Sequence, residues 1–255
     1  NSLSASMDIK EIKTIAQREY KVGTLFGMPC VLVFSRWGKV ASSATVTTLI
    51  QVFGAKKIIF TGVAGAAQSD IRVGDIVIPS ALYQHDMDAR PLFDKHTIPL
   101  TNKTLFEPDP VLMNLAIKSA QSFLKPSVFK TYIASSLIQK FDLHDPKLID
   151  HATVASGDSF INCSDKVTQL NQARKTHAVE MEGAAIAQVC DEHQVPFVVI
   201  RTISDNADGN AAIDFPVFAR DIAAQYAFYI IQQLFSALAI ESKVKTKEAT
   251  IDTPS

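Results

Sequence analysis

The sequence predicts an α/β protein in which a central mixed β-sheet is flanked by helices. Short apolar runs that end at glycine or small polar residues, as buried strands do, alternate with longer segments of helical periodicity. Alternation of this kind favours a sheet covered by helices. The chain has 255 residues, of which 47% are hydrophobic and 20% charged, and this suits a single domain with a well-filled core.

The N-terminal elements are a polar segment, a hairpin and a helix. Residues 1–19 are polar and predict a helix followed by a loop, so that strand signal begins only with the next segment. The strand-like segments 20–26 and 30–35 flank a Gly-Met-Pro turn and predict a hairpin. Small and β-branched residues over 41–53, stopped by a glycine, predict the next helix.

The rest of the chain predicts three more strands and two long helices. The first of these strands is a short apolar run that stops at Gly62, as a buried parallel strand would. The last helix is long and amphipathic and closes the domain. The strands are predicted at residues 57–61, 74–80 and 197–201, and the helices at 111–123 and 218–238.

The predicted domain extends over residues 1–240. Residues 241–255 mix Lys, Glu, Thr, Asp and Pro and predict a flexible, solvated tail. Residues 128–150 look like an insertion, which would either fold over the functional site or pack at a subunit edge. The sequence leaves both placements open.

Composition and motifs exclude several classes of partner. The net charge of -1 leaves no basic field for nucleic acid or an anionic membrane, and no apolar run approaches the ~20 residues that span a bilayer. Three widely spaced cysteines suit a reducing cytoplasm. The glycine loop 62–66 lacks the ending of a phosphate loop, and His85-Asp86 with Asp88 lacks further metal ligands. We therefore expect no cofactor, metal, nucleic acid or membrane.

Three segments place carboxylates beside strongly apolar sequence. They are Ser-Gly-Asp-Ser-Phe-Ile at 156–161, Val-Glu-Met-Glu-Gly at 179–183 and Arg-Thr-Ile-Ser-Asp-Asn-Ala-Asp at 201–208. Charges are rarely buried without a partner or a task. Local sequence alone leaves structural explanations open, because Asp205 also suits an Asx-turn after a strand and Glu182 a helix N-terminus.

In this order and spacing the segments resemble those of the nucleoside phosphorylase and nucleosidase superfamily, and most of all the 5'-methylthioadenosine/S-adenosylhomocysteine nucleosidases. The likeness runs from about residue 20 to residue 234, with one interruption. It implies a nucleoside phosphorylase-like fold and an enzyme that hydrolyses the N-glycosidic bond of these nucleosides, releasing adenine and the thioribose. It also implies a small-molecule nucleoside substrate and a homodimer.

The resemblance assigns chemistry to both acids. Cleavage needs a proton for the leaving purine and a hold on the ribose as it becomes an oxocarbenium-like cation. Asp205 matches the family's general acid, and Ser204 matches the serine that holds it. Glu182 matches the carboxylate that accepts both ribose hydroxyls, a task that suits an acceptor with two oxygens. Met181 matches a methionine packed against the sugar.

Further substrate contacts follow from the same resemblance. Phe160 matches an aromatic that stacks on adenine, although an aromatic in such a loop is more often part of a core, and the backbone of Ile161 matches a hydrogen-bond partner of the base. Phe215 matches a residue that lines the pocket for the 5'-substituent. Phe106, loosely aligned, matches an aromatic lent by the partner subunit. The small residues beneath base and ribose are Val63, Ala64 and Gly65.

Two departures from the family matter. The family begins with an apolar strand and a glutamate that activates the attacking water, and nothing before Tyr20 supplies them. Glu11 is wrongly spaced from Met7 and is better explained as a solvated side chain. We therefore expect the natural protein to have residues before Asn1. Trp37 stands where the family has a smaller apolar residue near the 5'-substituent, and its indole would narrow or reshape that pocket.

Three other functions stay open. A phosphorylase would use phosphate in place of water, but its site needs a serine and arginines. The Gly-Val-Ala-Gly loop carries no hydroxyl at its centre, and Arg201 is better explained by pairing with a nearby acid. A futalosine-type nucleosidase would act on a related nucleoside. A nucleoside-binding protein without catalysis would be consistent with the missing glutamate.

Overall fold

The N-terminal part of the chain folds as a short helix and a three-stranded antiparallel sheet. The structure is a computed structural model and describes residues 2–161, 163–206 and 215–251. The elements are α1 (Ser2–Ala5), β1 (Met7–Ile15), β2 (Arg18–Leu25) and β3 (Met28–Leu32). The strands pair in the order β1-β2-β3, and β2 with β3 confirms the predicted hairpin.

Strand β1 corrects the expectation that residues 1–19 form a helix and a loop. It pairs antiparallel with β2 along its length. Seven consecutive side chains between its ends are exposed, so the strand lacks the apolar alternation that would have marked it in the sequence. Glu11 is one of them and lies 3.5 Å from the Lys13 ammonium. It is therefore solvated as expected, but on a strand.

Within the described residues, the central sheet closes into a five-stranded barrel with the order β4-β7-β6-β5-β8. Strand β4 is parallel to β8, and β6 is parallel to both β5 and β7. The pairs β4–β7 and β5–β8 are antiparallel, so the central sheet is mixed, as predicted. The strands are β4 (Ile58–Ala66), β5 (Ile76–Gln84), β6 (Leu148–Ser156), β7 (Ala178–Glu180) and β8 (Phe197–Asp205).

Strand β4 is longer than predicted. The expected stop at Gly62 is wrong, because β8 pairs with β4 as far as Gly65 and β7 pairs with its last two residues. The backbone N–H and C=O groups after Gly62 thus form hydrogen bonds with the neighbouring strands, whereas in a loop they would need other partners. A Cβ at Gly62 would lie 2.1 Å from the Arg201 guanidinium, so this glycine allows the arginine to cross the strand.

Helices cover the barrel in two groups. Helices α2 and α7 pack together over one apolar cluster, and α3 packs with the C-terminal helix over another. The predicted helices at 41–53 and 111–123 are confirmed by α2 and α3. The bounds are α2 (Lys39–Gln51), α3 (Pro110–Phe123), α4 (Pro126–Tyr132), α5 (Ser135–Lys140), α6 (Ser164–Ala173) and α7 (Gly183–Glu192).

The segment 128–150 belongs to the core. It contains most of α4, all of α5 and the start of β6. Its Phe129, Ile133 and Ile138 are buried in the same apolar cluster as helix α3. Of the two placements that the sequence left open, neither describes these buried side chains, which fill the interior of the domain.

A long helix closes the domain. It consists of α8 (Phe215–Phe218), a π-helical turn (Ala219–Ala223) and α9 (Ala224–Ile251). The backbone of residues 241–251 continues α9, where the sequence predicted a flexible, solvated tail. Residues 252–255 lie outside the described part of the chain.

The closing helix also corrects an expectation about membranes. By length and composition, its 26 residues from Phe215 to Ile240 could cross a bilayer, contrary to the expectation that no segment reaches that length. Within this stretch Phe218, Tyr226 and Leu234 are fully buried in the apolar cluster shared with α3. Burial inside the domain is typical of a core helix, whose apolar face is covered by protein.

Candidate active site

The three carboxylate-bearing segments meet at one end of the barrel. In β4, Gly65 pairs with Val179 of β7 on one side and with Asp205 of β8 on the other. Ser156, at the end of β6, pairs with Glu180, at the end of β7. The strand registers therefore bring the segments side by side where α/β proteins place their ligands.

A buried arginine stands at the centre of this end. Arg201 is 1% exposed, and its Nη2 bonds to Glu180 and lies 3.4 Å from the Glu182 carboxylate. Its guanidinium stacks over the Phe60 ring at 4.2 Å. The prediction that Arg201 pairs with a nearby acid is confirmed, and the arginine offsets the charge of two carboxylates.

Glu180 anchors the turn that precedes helix α7. It accepts a hydrogen bond from the Ser156 hydroxyl and others from the backbone N–H groups of Glu182, at 3.1 Å, and Gly183, at 2.8 Å. The Ser156 hydroxyl in turn accepts from the Ala184 N–H at 2.7 Å. Sequence analysis assigned no role to Glu180 or Ser156, although the two acids in Val-Glu-Met-Glu were the available signal.

Glu182 accepts fewer hydrogen bonds than Glu180, and its side chain is more exposed, at 13% against 2%. The Gly38 N–H donates to its Oε1 at 2.9 Å. Burial raises the pKa of the Glu182 carboxyl, and the attraction of Arg201 opposes that rise while the charge of Glu180 adds to it. With these few protein partners, the carboxylate keeps acceptor capacity for ligand hydroxyl groups.

Asp205 ends strand β8 and is 6% exposed. The Ser204 hydroxyl donates to its Oδ2 at 2.8 Å, so the hydrogen bond expected between these neighbours is present. The same hydroxyl lies 3.4 Å from the Ala64 carbonyl oxygen. Ser204 thereby ties the orientation of the carboxyl group to strand β4.

The loop after β6 places Phe160 and Ile161 differently. Phe160 is 51% exposed and so is not a core residue, whereas Ile161 is buried in a small apolar cluster with Tyr83. An exposed aromatic ring of this kind can stack on a flat ligand. The loop passes close over His85, since a Cβ on Gly157 would lie 2.3 Å from the His85 Nε2.

An open cavity of about 740 Å³ lies next to the end of β4. The predicted small residues Val63, Ala64 and Gly65 are not among its lining residues; Val63 is half-buried, and Ala64 and Gly65 are buried. The lining extends from Ala66 to Asn206, the neighbour of Asp205. Its lining consists of residues 66–72, Val167, Thr168, Asn171 and Asn206.

Two aromatic side chains and a methionine lie on the Glu182 side of the site. Trp37 precedes Gly38, the residue that donates to Glu182, and its indole packs edge-to-face on Phe215 with ring centroids 6.1 Å apart. The structure thus brings together the two residues that sequence analysis assigned to one pocket. Met181, next to Glu182, is half-buried.

Phe106 does not fit the role predicted for it. Its backbone pairs with Leu82 of β5, and its ring is buried in the same apolar cluster as Val154. The side chain packs inside its own subunit, so it is not available as an aromatic lent to a partner. The loose alignment around this residue could not separate an interface aromatic from a core aromatic.

A second polar network joins the start of α2 to the loop after β6. The Lys39 ammonium donates to Asp86 Oδ1 at 2.7 Å. The backbone N–H of Lys39 donates to Asp158 Oδ1 at 2.7 Å, and the backbone N–H of Asp158 donates to Asp86 Oδ2 at 2.9 Å. Burial raises the pKa of Asp86, but these hydrogen bonds outweigh it and lower the pKa overall. Sequence analysis missed this network.

Asp86 therefore has a structural task as an acceptor in this network. Asp88, considered with His85 and Asp86 as a metal ligand, pairs with Arg90. In the part of the chain that the structure describes, no three His, Cys, Asp or Glu side chains come together in an arrangement that could hold a metal ion. No set of metal ligands is thus available from these residues.

Comparisons with known proteins agree with this arrangement. The family model described as "Phosphorylase superfamily" matches residues 2–236. A 5'-methylthioadenosine/S-adenosylhomocysteine nucleosidase from Shewanella loihica is 34% identical over 234 residues, which cover 91% of this chain and 92% of the relative. An aminodeoxyfutalosine nucleosidase from Helicobacter pylori (strain J99) is 31% identical over 224 residues, which cover 88% and 87%.

Solved structures give the same picture. A 5'-methylthioadenosine/S-adenosylhomocysteine nucleosidase from Neisseria meningitidis, in complex with methylthio-immucillin-A, superposes with a TM-score of 0.78 at 28% identity, covering 92% of this chain and 93% of that one. The futalosine hydrolase of Helicobacter pylori strain 26695 has a TM-score of 0.75 at 29% identity, with 90% and 89% covered.

Proposed function

The chain belongs to the phosphorylase superfamily, and on that premise we propose that it hydrolyses the N-glycosidic bond of 5'-methylthioadenosine and S-adenosylhomocysteine. The products are adenine and the corresponding thioribose, which gives the enzyme a place in methionine salvage. One observation carries the proposal: Asp205 and the Glu180–Glu182 turn flank the same end of β4, as an acid for the base and a clamp for the sugar require.

Asp205 is the proposed general acid. In its protonated form it donates to the imidazole nitrogen of the departing purine, which then leaves as neutral adenine. The hydrogen bond from Ser204 and the buried position at the end of β8 support this role, because they fix where the proton is delivered. Phe160 supplies a face for the purine, and the backbone of Ile161 borders it.

Glu182 is the proposed ribose clamp. Its carboxylate accepts the two ribose hydroxyl groups, and its charge stabilises the cation that develops on the sugar. Arg201 and Glu180 set its position, because Arg201 lies between the two carboxylates and Glu180 holds the backbone of the turn. Met181 packs beside the sugar in this arrangement.

Water, not phosphate, is the proposed nucleophile. Two features support hydrolysis: the named relatives are nucleosidases, and the segment from Gly62 to Ala66 carries no side-chain hydroxyl for a phosphate. The test is adenine release from methylthioadenosine with and without inorganic phosphate. Release that depends on phosphate would identify a phosphorylase, and binding without release would identify a nucleoside-binding protein.

A related nucleoside is the second candidate substrate. The Helicobacter pylori relative named an aminodeoxyfutalosine nucleosidase is nearly as similar as the methylthioadenosine enzymes, and its name also denotes nucleoside hydrolysis. Competition between aminodeoxyfutalosine and methylthioadenosine for the same enzyme decides between them. The better substrate is the one with the higher kcat/KM.

We also propose a homodimer in the cytoplasm. The buried Phe106 does not support the dimer. Leu92 and Leu100 are strongly exposed on the connection between β5 and α3, and these apolar side chains suit a contact between two subunits. The three cysteines are unpaired, as a reducing compartment favours. Sedimentation at micromolar concentration tests the dimer, and a fully active monomer would contradict it.

A further inference from the structure

The chain carries a large exposed aromatic side chain at the edge of the site. Trp37 is 66% exposed, although most indoles bury the greater part of their surface. Its backbone is fixed by the site itself, since the next residue, Gly38, donates to the Glu182 carboxylate. The backbone of Trp37 therefore lies next to the proposed ribose clamp.

The family resemblance indicates which part of the ligand meets this indole. In a nucleoside the base is attached at C1' and the 5'-substituent extends from C4', and these two carbons flank the ring oxygen. The resemblance assigns both Trp37 and Phe215 to the pocket for that substituent. Trp37 borders Glu182 through Gly38, and Phe215 packs against the indole at an interplanar angle of 86°.

An aromatic wall of this kind favours aromatic ligands. An aliphatic group gains only buried area from an indole, whereas an aromatic ring also gains the favourable electrostatics of stacked or edge-to-face rings. The pairing with Phe215 restrains the indole, which lowers the entropy cost of ordering it around a ligand. Two thirds of the Trp37 surface stays available for contact.

We propose that Trp37, braced by Phe215, makes this enzyme select purine nucleosides whose 5'-substituent is a flat aromatic group over those with an aliphatic group of the same size. The proposal rests on the proposed function, because it concerns the substrate of that same site. Trp37 is thus a specificity-determining residue for the 5'-substituent.

Matched substrates test the proposal. Adenine release is measured from 5'-phenylthioadenosine and 5'-cyclohexylthioadenosine, which differ in aromaticity and hardly in size. We expect the phenyl compound to have the higher kcat/KM by about 2- to 12-fold, the range that aromatic pairs produce. Trp37→Leu should bring the ratio close to one, and Trp37→Phe should keep most of it. Phe34→Leu, which removes another exposed ring, is the control and should keep the wild-type ratio.

Binding provides a readout that does not need turnover. Trp37 is the only tryptophan of the chain, so intrinsic tryptophan fluorescence reports on this residue directly. Saturable quenching by 5'-phenylthioadenosine at lower concentrations than by the cyclohexyl compound would show tighter binding of the aromatic ligand. This result would support the proposal even if neither compound released adenine. The proposal would be overturned if the enzyme cleaved methylthioadenosine but showed equal kcat/KM for the phenyl and cyclohexyl compounds. An unchanged ratio of these two values in Trp37→Leu would also overturn it. Either result would leave the proposed function standing.

Discussion

Removal of the buried arginine is the sharpest test of how the site is built. Arg201→Met would leave the carboxylates of Glu180 and Glu182 buried beside each other without their cation. Breaking a buried pair in this way typically costs about 3–5 kcal/mol of unfolding free energy. Phe60, which stacks on the guanidinium, would still contact the methionine. We expect a loss of this size in urea denaturation near pH 7, at a fixed protein concentration.

A second substitution shows whether charge is the reason. Glu180→Gln in the Arg201→Met background removes one of the two unpaired charges and should restore part of the lost stability. If Arg201→Met alone does not fold, the double variant can still be compared with wild type. Arg220→Met is the matched control, because Arg220 is exposed and forms an ion pair with the partly exposed Asp221, so the substitution should change stability little.

The loss should also depend on pH. Burial raises the pKa of Glu182, and without Arg201 that pKa rises further. An acid with a raised pKa in the folded state destabilises the fold most at high pH, and the penalty disappears as pH falls through that pKa. The gap between Arg201→Met and wild type should therefore narrow from about pH 8 to about pH 5. A small loss that is equal at both pH values, with no compensation from Glu180→Gln, would refute the reasoning.

Three further outcomes follow from the site and the fold. Asp205→Asn should lower the rate of adenine release by about 10²–10⁴-fold with the circular dichroism spectrum unchanged, and near-normal turnover would remove Asp205 as the acid. Glu182→Gln should cost about 1.5–3 kcal/mol of binding to ribonucleosides and less for the 2'-deoxy analogue, and equal losses would mean that Glu182 does not bind the sugar hydroxyls. In a thiol titration of the folded protein, the exposed Cys163 should react fast. Cys190 should stay unreactive, because burial raises the pKa of its thiol to about 12. Early modification of Cys190 would contradict its burial.

The two polar networks also explain why neighbouring segments of the site hold together. Glu180 joins Ser156, Arg201 and the start of α7, and Lys39 joins Asp86 and the loop after β6. Each carboxylate has several donors, which is the condition for keeping buried charge at low cost. The exposed side chains of the site, Phe160 and Trp37, are carried by this rigid frame.

Much of the fold could be predicted from the sequence, since it depends on local pattern. The run 197–200 is apolar without interruption, and the helix 111–123 repeats its apolar residues with helical spacing, so both elements were predicted within a few residues. The same local signal failed for β1, whose exposed side chains show no alternation, and for residues 241–251, whose composition resembles that of a tail. The first segment is a strand because it pairs with β2, and the second is helical because it continues α9.

The sequence pointed to two acids as candidates for the chemistry, whereas only the tertiary structure shows what surrounds them. Asp205 and Glu182 stood out because carboxylates beside buried strands are costly without a task, and the family resemblance then assigned their proposed roles. Their partners could not be predicted in the same way: the Gly38 N–H that binds Glu182 is 144 residues away, and Phe106 was assigned to an interface although its own β-bridge buries it. Local spacing records burial and periodicity, but only strand register and packing determine which distant groups come within hydrogen-bond distance.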